Sequence, residues 1–308
     1  MHLFVTGGSG ITGPAVVTEL VSAGHRVTGL ARSDASAARL EGLGAAVRRG
    51  DLADLDALRA GAAASDGVIH MAFSSDFGDP EGLVRLDTEA VTAMGEALRG
   101  TDKPLVMTSG TFAMVAGRVS VEPDPPDQAS AAHFRIPGEQ ACLSFADQGV
   151  RASVVRLSPT VHGPGDYGFI AMLVAAARKA GVAPYIGDGA NRWPAVHRND
   201  AATLFRLAAE KAPAGSCLHG VDESGITQRT IAETVGRKLG LPTASLTQEE
   251  MAPLFAVPFI AGVFAIDAPA SSALTRSLLG WTPTHPTLLE DLEAGDYFDE
   301  AAPTWPHA

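Results

Sequence analysis

Eight residues near the amino end, Thr6-Gly7-Gly8-Ser9-Gly10-Ile11-Thr12-Gly13, restrict the fold of this chain more than any other stretch. They come after a short apolar segment, His2 to Thr6, that reads as a strand, and they open a segment, Ile11 to Ala23, with helical character. Glycine takes positive φ without a Cβ clash, so a strand can turn sharply into a helix. Bare backbone lets a diphosphate approach closely, and the helix amino end offers unpaired N–H groups and the positive end of its dipole. A glycine at Gly13 lets the helix pack tightly on the sheet. The pattern predicts dinucleotide binding at Gly7, Gly10, Ile11 and Gly13, with a plain turn as the duller alternative.

The next 130 or so residues repeat the strand–helix alternation. Strand-like segments at Arg26 to Ala31, Ala45 to Arg48, Gly67 to Met71, Leu105 to Thr108 and Ala152 to Leu157 are separated by helical ones, among them Ala35 to Leu43, Leu55 to Ala63 and Leu83 to Arg99. Such spacing predicts an α/β fold with a parallel sheet covered on both faces. Beyond residue 165 the order loosens. Phe169 to Ala180, Leu204 to Lys211, Ile231 to Leu239 and Ser272 to Leu279 read as helices of a smaller lobe, and 308 residues exceed one usual hydrophobic core. A proline- and acid-rich stretch, Gly117 to Ala129, reads as a surface loop, and Ala302 to Ala308 as a tail. The oily tract Pro253 to Ile266 is too short to span a bilayer; it reads as a helix pair, or else as a dimer or membrane-contact patch.

The net charge of -12 argues against a nucleic-acid partner, because an acidic surface repels phosphate backbones. Two cysteines, Cys142 and Cys217, are too few for a disulfide framework or a four-cysteine zinc site, and no metal-ligand spacing occurs. No signal peptide or membrane span is evident, so a cytoplasmic setting is expected. Arg32 stands after the second strand at the distance of a ribose-reading residue. With Ser33 beside it, it suits a 2′-phosphate, which favours NADP over NAD; a solvated charge is the alternative. Asp34 could still serve an unphosphorylated ribose, and Asp51-Leu52 could line the adenine site or cap a helix.

With these residues in hand, the chain resembles the extended short-chain dehydrogenase/reductase superfamily, of the NAD-dependent epimerase/dehydratase type. The likeness rests on Thr6 to Gly13, Asp51-Leu52, His70-Met71-Ala72, Thr108-Ser109-Gly110, Arg156 to Gly165, Ala195 to Asp200 and Leu279-Gly280-Trp281-Thr282-Pro283. It implies a Rossmann-type doubly wound parallel sheet with a smaller, mostly helical C-terminal substrate lobe. Residues 1–165 would bind the dinucleotide, with segments around 190–220 returning to that domain, and 166–308 would mainly bind substrate. It also implies cofactor contacts from Met71, Ala72, Ser109, Ser158, Thr160 and His162, and a possible homodimer.

The resemblance breaks at one place. Such enzymes use a serine or threonine, a tyrosine, and a lysine four residues beyond it. Ser109 occupies the serine position, but where the pair should stand the chain reads Ala131-Ala132-His133-Phe134-Arg135, with neither tyrosine nor lysine. A serine hydroxyl alone is a poor acid near neutrality. His133 could shuttle the proton or be a surface residue, and Arg135 could replace the lysine as a fixed cation or bind substrate. Glu139 would face solvent or Arg135, and His70 has a structural reading beside a catalytic one. Tyr167 is a third candidate proton donor; Ser74, Arg192 and Trp193 are expected to touch substrate, with Phe73 to Phe77, Ser75 and Asp76 among them, extending toward the mouth. The leading expectation is an NADP-dependent oxidoreductase acting on a small carbonyl, imine or activated alkene. A nucleotide-sugar epimerase or dehydratase and a non-catalytic NADP-binding redox sensor are the alternatives.

Overall fold

The computed structural model describes residues 1–74 and 78–299; Ser75, Asp76, Phe77 and the expected tail at 302–308 lie outside the described residues. Six strands alternate with helices through the first half: β1 (His2–Thr6), α1 (Gly13–Ser22), β2 (Arg26–Ala31), α2 (Asp34–Gly42), β3 (Ala46–Arg49), α3 (Leu55–Ala63), β4 (Gly67–His70), α4 (Pro80–Leu98), β5 (Pro104–Gly110), α5 (Ile136–Ser144) and β6 (Arg151–Leu157). The second half holds β7 (Thr160–His162), α6 (Phe169–Ala180), β8 (Ala183–Ile186), β9 (Arg192–His197), α7 (Arg198–Lys211), β10 (Ser216–Gly220), β11 (Glu223–Thr227), α8 (Gln228–Leu239), β12 (Thr243–Leu246) and several short helices.

Seven strands form one sheet in the order β10-β6-β5-β4-β1-β2-β3, and every pairing in it is parallel. The alternating pleat sends successive side chains to opposite faces. Leu3 and Val5 of β1 enter one core with Val16, Val17 and Leu20 of α1 and Leu204 and Phe205 of α7, whereas Phe4 enters the other with Leu58 of α3 and Met94 of α4. Both faces are therefore apolar, which is why these strands read as nearly continuous oily runs. Each fully buried Leu or Val contributes roughly 1.5–3 kcal/mol. The return of the chain around 190–220 is seen directly: β10 pairs with β6, Leu218 opposite Val155.

The second lobe has its own core. Trp193 is fully buried there with Ile170, Val174, Ile231, Phe264 and Leu288. Beside its helices stand a three-stranded sheet, β11-β9-β7, and a parallel pair, β12-β8. These strands are three to six residues long, too short to leave a periodic signal among the prolines and glycines around them. The stretch 117–129 is a largely exposed loop, as expected, anchored at two points: Ser120 bridges Ala270, and buried Glu122 accepts hydrogen bonds from the Thr275 amide and hydroxyl. One sequence expectation is corrected. Glu139 is buried at 1% exposure and pairs with Arg156, whose other guanidinium nitrogen donates to the carbonyls of Glu122 and Asp124. No helix among the described residues is long and apolar enough to cross a membrane.

Candidate active site

Parallel strands end on one side of a sheet, and ligands of such folds lie in the crevice beyond those ends. Here that crevice is a cleft of about 950 Å³ between the sheet and the second lobe. Its floor is the glycine turn. Gly7 has φ +73°, and a Cβ there would lie 2.5 Å from the Ala72 amide nitrogen. A Cβ on Gly13 would lie 2.2 Å from the Gly7 carbonyl oxygen. The Gly10 amide donates to the Gly7 carbonyl at 3.0 Å, and α1 starts from Thr12 with no side-chain cap. The uncapped first-turn N–H groups thus open onto the cleft and need an acceptor. Gly7, Gly10, Ile11 and Gly13 all line it, and this bare cradle at a helix amino end fits a dinucleotide diphosphate.

The other expected residues divide. Arg32, Asp51, Leu52, Met71, Ala72, Ser74, Thr160 and Tyr167 also line the cleft. Burial pushes the Tyr167 phenol up, while Arg39 and Arg198 pull it back. Arg39 donates to the Ser9 carbonyl, so this tyrosine belongs to the turn's side of the cleft.

Ser33, Ser109, His133, Arg135, Ser158, His162, Arg192 and Trp193 are not part of the cleft wall. Ser33 caps α2, its hydroxyl engaged with Ser36. Ser109 is 4% exposed and its hydroxyl is buried without a partner; the neighbouring Thr108, on the opposite side of the strand, lines the cleft instead. His133 is exposed and its Nδ1 lies 3.0 Å from the Ser130 carbonyl. Ser158 donates to the Gly220 carbonyl at 2.9 Å, and His162 Nδ1 lies 3.0 Å from Asp291 Oδ2. Arg192 grips Asp267 through Nε and Nη2, at 3.0 and 2.9 Å. Trp193 stands behind the wall, edge-on to Phe112 and Phe169, with its indole N–H on the Ile266 carbonyl.

Arg135, expected as a stand-in for the family's lysine, is buried. It donates to the Thr108 carbonyl, lies 3.6 Å from Asp87, and is roofed by the Phe73 ring at 3.9 Å. Asp87 in turn meets His70 Nε2 at 3.3 Å, and His70 Nδ1 meets the Thr6 hydroxyl at 2.7 Å. This buried chain joins the glycine turn to the end of β5, and it gives His70 a structural place. His197, Asp200 and His285 are the one described group with metal-ligand proximity. Yet the two rings are stacked 6° from parallel, so their in-plane lone pairs do not converge, and Asp200 already accepts from the Thr284 amide and His285.

The rest of the wall is apolar. Phe73, expected near the mouth, comes from the sheet side with Leu86, Phe112, Ala131, Ala132 and Phe134, and Phe169, Ile170, Met172, Phe259, Ile260 and Val263 come from the lobe. Most of these were missed by sequence reasoning; the oily tract 253–266 was a second legible trace, since the helix Ile260–Phe264 buries Ile260 and Phe264 in the second core while Ile260 and Val263 also line the cleft.

Comparison with known proteins decides the family. The model of the NAD-dependent epimerase/dehydratase family matches residues 3–218. The chain belongs to that family. An uncharacterized Schizosaccharomyces pombe protein is 46% identical over 303 residues, covering 97% of this chain and 100% of that one. A 2-alkyl-3-oxoalkanoate reductase of Stenotrophomonas maltophilia is 31% identical over 228 residues, covering 70% and 68%. Among solved structures, a dTDP-glucose 4,6-dehydratase from Streptomyces venezuelae with NAD bound superposes with TM-score 0.76 at 18% identity, covering 95% of each chain. As a member of the NAD-dependent epimerase/dehydratase family, the chain is an NAD(P)-dependent enzyme of the oxidoreductase and epimerase/dehydratase type acting on small molecules.

The expectation of NADP is corrected. The structural relatives whose nicotinamide cofactor is named hold NAD. A local feature agrees: Ser33 is engaged as the cap of α2, its hydroxyl on Ser36, rather than joining Arg32 in a phosphate fork.

Proposed function

We propose that this enzyme binds NAD along the Gly7–Gly13 turn and uses it on a small molecule whose reacting carbon bears a hydroxyl or carbonyl oxygen. When bound, the nicotinamide supplies or accepts hydride. The observation that carries the reading is the bare cradle at the start of α1, opening into a cleft shared by the sheet ends and the second lobe. Residues 1–165 would form the cofactor half and 166–308 mainly the substrate half.

The residues given roles are Gly7, Gly10, Ile11 and Gly13 at the diphosphate, Arg32, Asp51 and Leu52 at the adenosine end, and Met71, Ala72 and Thr160 nearer the nicotinamide. Thr108, not Ser109, holds the reacting oxygen. Its hydroxyl and that of Thr160 are buried polar atoms on the cleft wall without a protein partner, an arrangement that costs about 1–3 kcal/mol each until something bonds them. With alanine at position 131, no phenol donates there; the hydroxyl of Thr108 steadies charge on the oxygen and water completes the proton balance. A homodimer belongs to the same proposal and is read by sedimentation.

Two substrate readings have support. Family membership and the fold relatives, three of whose structures hold UDP-sugars, favour a nucleotide-sugar epimerase or dehydratase over the simple reductase placed first on sequence grounds. The apolar wall and the 31% identical reductase support a carbonyl reductase. Both begin with hydride moving at an oxygen-bearing carbon. The test is NADH oxidation or NAD reduction by the purified protein with carbonyl compounds and UDP-sugars. Thr108→Val, nearly isosteric, is expected to lower kcat about 100-fold with NAD affinity unchanged. Unaltered kcat would remove Thr108 from the reaction.

A further inference from the structure

Taking the glycine-turn end of the cleft as the cofactor's, and resting on the proposed NAD site and on the carbonyl-reductase reading rather than the nucleotide-sugar one, we infer that the remaining end is a binding site for an uncharged substrate with an alkyl or aromatic body, and that a diphosphate-bearing ligand is not its natural occupant. Charge is the deciding quantity. Among the described residues, Arg32 is the only lysine or arginine on the cleft wall, and it stands after β2 beside Asp51, at the adenosine end. No histidine among the described residues lines the cleft, and the other acid on it is Asp166. Arg39 and Arg198 bear on Tyr167, on the glycine-turn side of the cleft, where Arg39 donates to the Ser9 carbonyl. The two arginines expected to meet substrate are committed: Arg192 is locked to Asp267, and Arg135 lies beneath Phe73 on Asp87 and the Thr108 carbonyl. A diphosphate entering the apolar end would lose its water and meet no lysine or arginine on that wall, which makes burial of its two charges costly.

The surface that is present has the opposite character. Phe112 packs edge-on against Phe169 and Trp193, and Phe169 against Phe264, so the rear wall is a rigid aromatic cluster. Phe259, just before the short helix Ile260–Phe264, stands at the mouth 49% exposed. An apolar body laid along this wall would cover it. Thr108 then offers a buried hydroxyl without a protein partner on the same wall, suited to a single carbonyl or hydroxyl oxygen. A polar anchor in an apolar cleft is the usual make-up of a site for a small hydrophobic molecule.

The experiment measures binding rather than turnover. Calorimetry on the protein, free and loaded with NAD, which cannot reduce a ketone, compares methyl ketones from 2-butanone to 2-nonanone with UDP-glucose. The expected result is a Kd that falls about fourfold with each added methylene, with UDP-glucose weaker than 2-nonanone. Phe259→Ala, at an exposed position, is expected to reduce the 2-nonanone to 2-butanone affinity ratio about tenfold. Ketone affinity independent of chain length, or UDP-glucose binding more tightly than 2-nonanone, overturns the inference. Failure of NAD to bind would defeat the cofactor reading instead, and the ketone series on the free protein would still judge this one.

Discussion

Replacing Gly10 by alanine separates cofactor binding from folding. Gly10 has an ordinary backbone φ, and a Cβ there would meet one atom, the Gly7 carbonyl oxygen at 3.3 Å. The fold should therefore tolerate the methyl at a cost within about 1 kcal/mol. The same methyl projects into the cradle where the diphosphate must approach the start of α1. Losing one charge-assisted hydrogen bond there costs about 1.5–3 kcal/mol, which weakens NAD binding roughly 10- to 150-fold. Gly7→Ala is the contrasting perturbation. With φ +73° and backbone 2.5 Å from the new Cβ, it should lose stability as well as affinity. Calorimetry with NAD and a urea unfolding curve on each variant read the two effects apart. A Gly10→Ala variant that binds NAD within twofold of the parent chain would refute the cradle.

Three other outcomes are expected. Glu139→Ala strands the Arg156 guanidinium in the core, and urea unfolding should show a loss of about 3–5 kcal/mol; a loss below about 1 kcal/mol would mean the pair is not buried in this way. Burial, reinforced by His162 and His285, lowers the His197 imidazole to about 4. The unfolded chain then binds the extra proton between about pH 6.5 and 4, so stability is full above about 6.5 and falls as pH drops toward 4. His197→Asn, which keeps a capping acceptor for α7, should flatten that fall by about 2–3 kcal/mol; an unchanged pH profile would contradict it. Thr108→Val should separate kcat from cofactor affinity in steady-state assays, and a parallel loss of both would contradict its placement at the reacting oxygen.

Much of the cofactor half was legible because its signals are local. His2–Thr6, Arg26–Ala31 and Leu55–Ala63 have the bounds read from apolar runs and helical periodicity alone, as does one helix of the other half, Phe169–Ala180. The glycine turn needs only its own residues and the strand and helix flanking it. The substrate half was not legible in this way. Phe112, Phe169 and Phe259 meet at one cleft from distant parts of the chain, and no spacing announces that. Charge was misread for the same reason. Arg135 and Arg192 look available in sequence, but their partners are Asp87 and Asp267, 48 and 75 positions away. Ser109 and Thr108 differ by one step along β5, and only the pleat determines which of them faces the cleft.

The central claim is that the loop from Gly7 to Gly13 holds the diphosphate of NAD. A crystal structure of the protein grown with NAD tests it most directly. Phosphate oxygens are expected within hydrogen-bond distance of backbone N–H groups between Gly10 and Gly13, with the nicotinamide near Thr108. NAD bound elsewhere, or a turn that stays bare at saturating NAD, would contradict it.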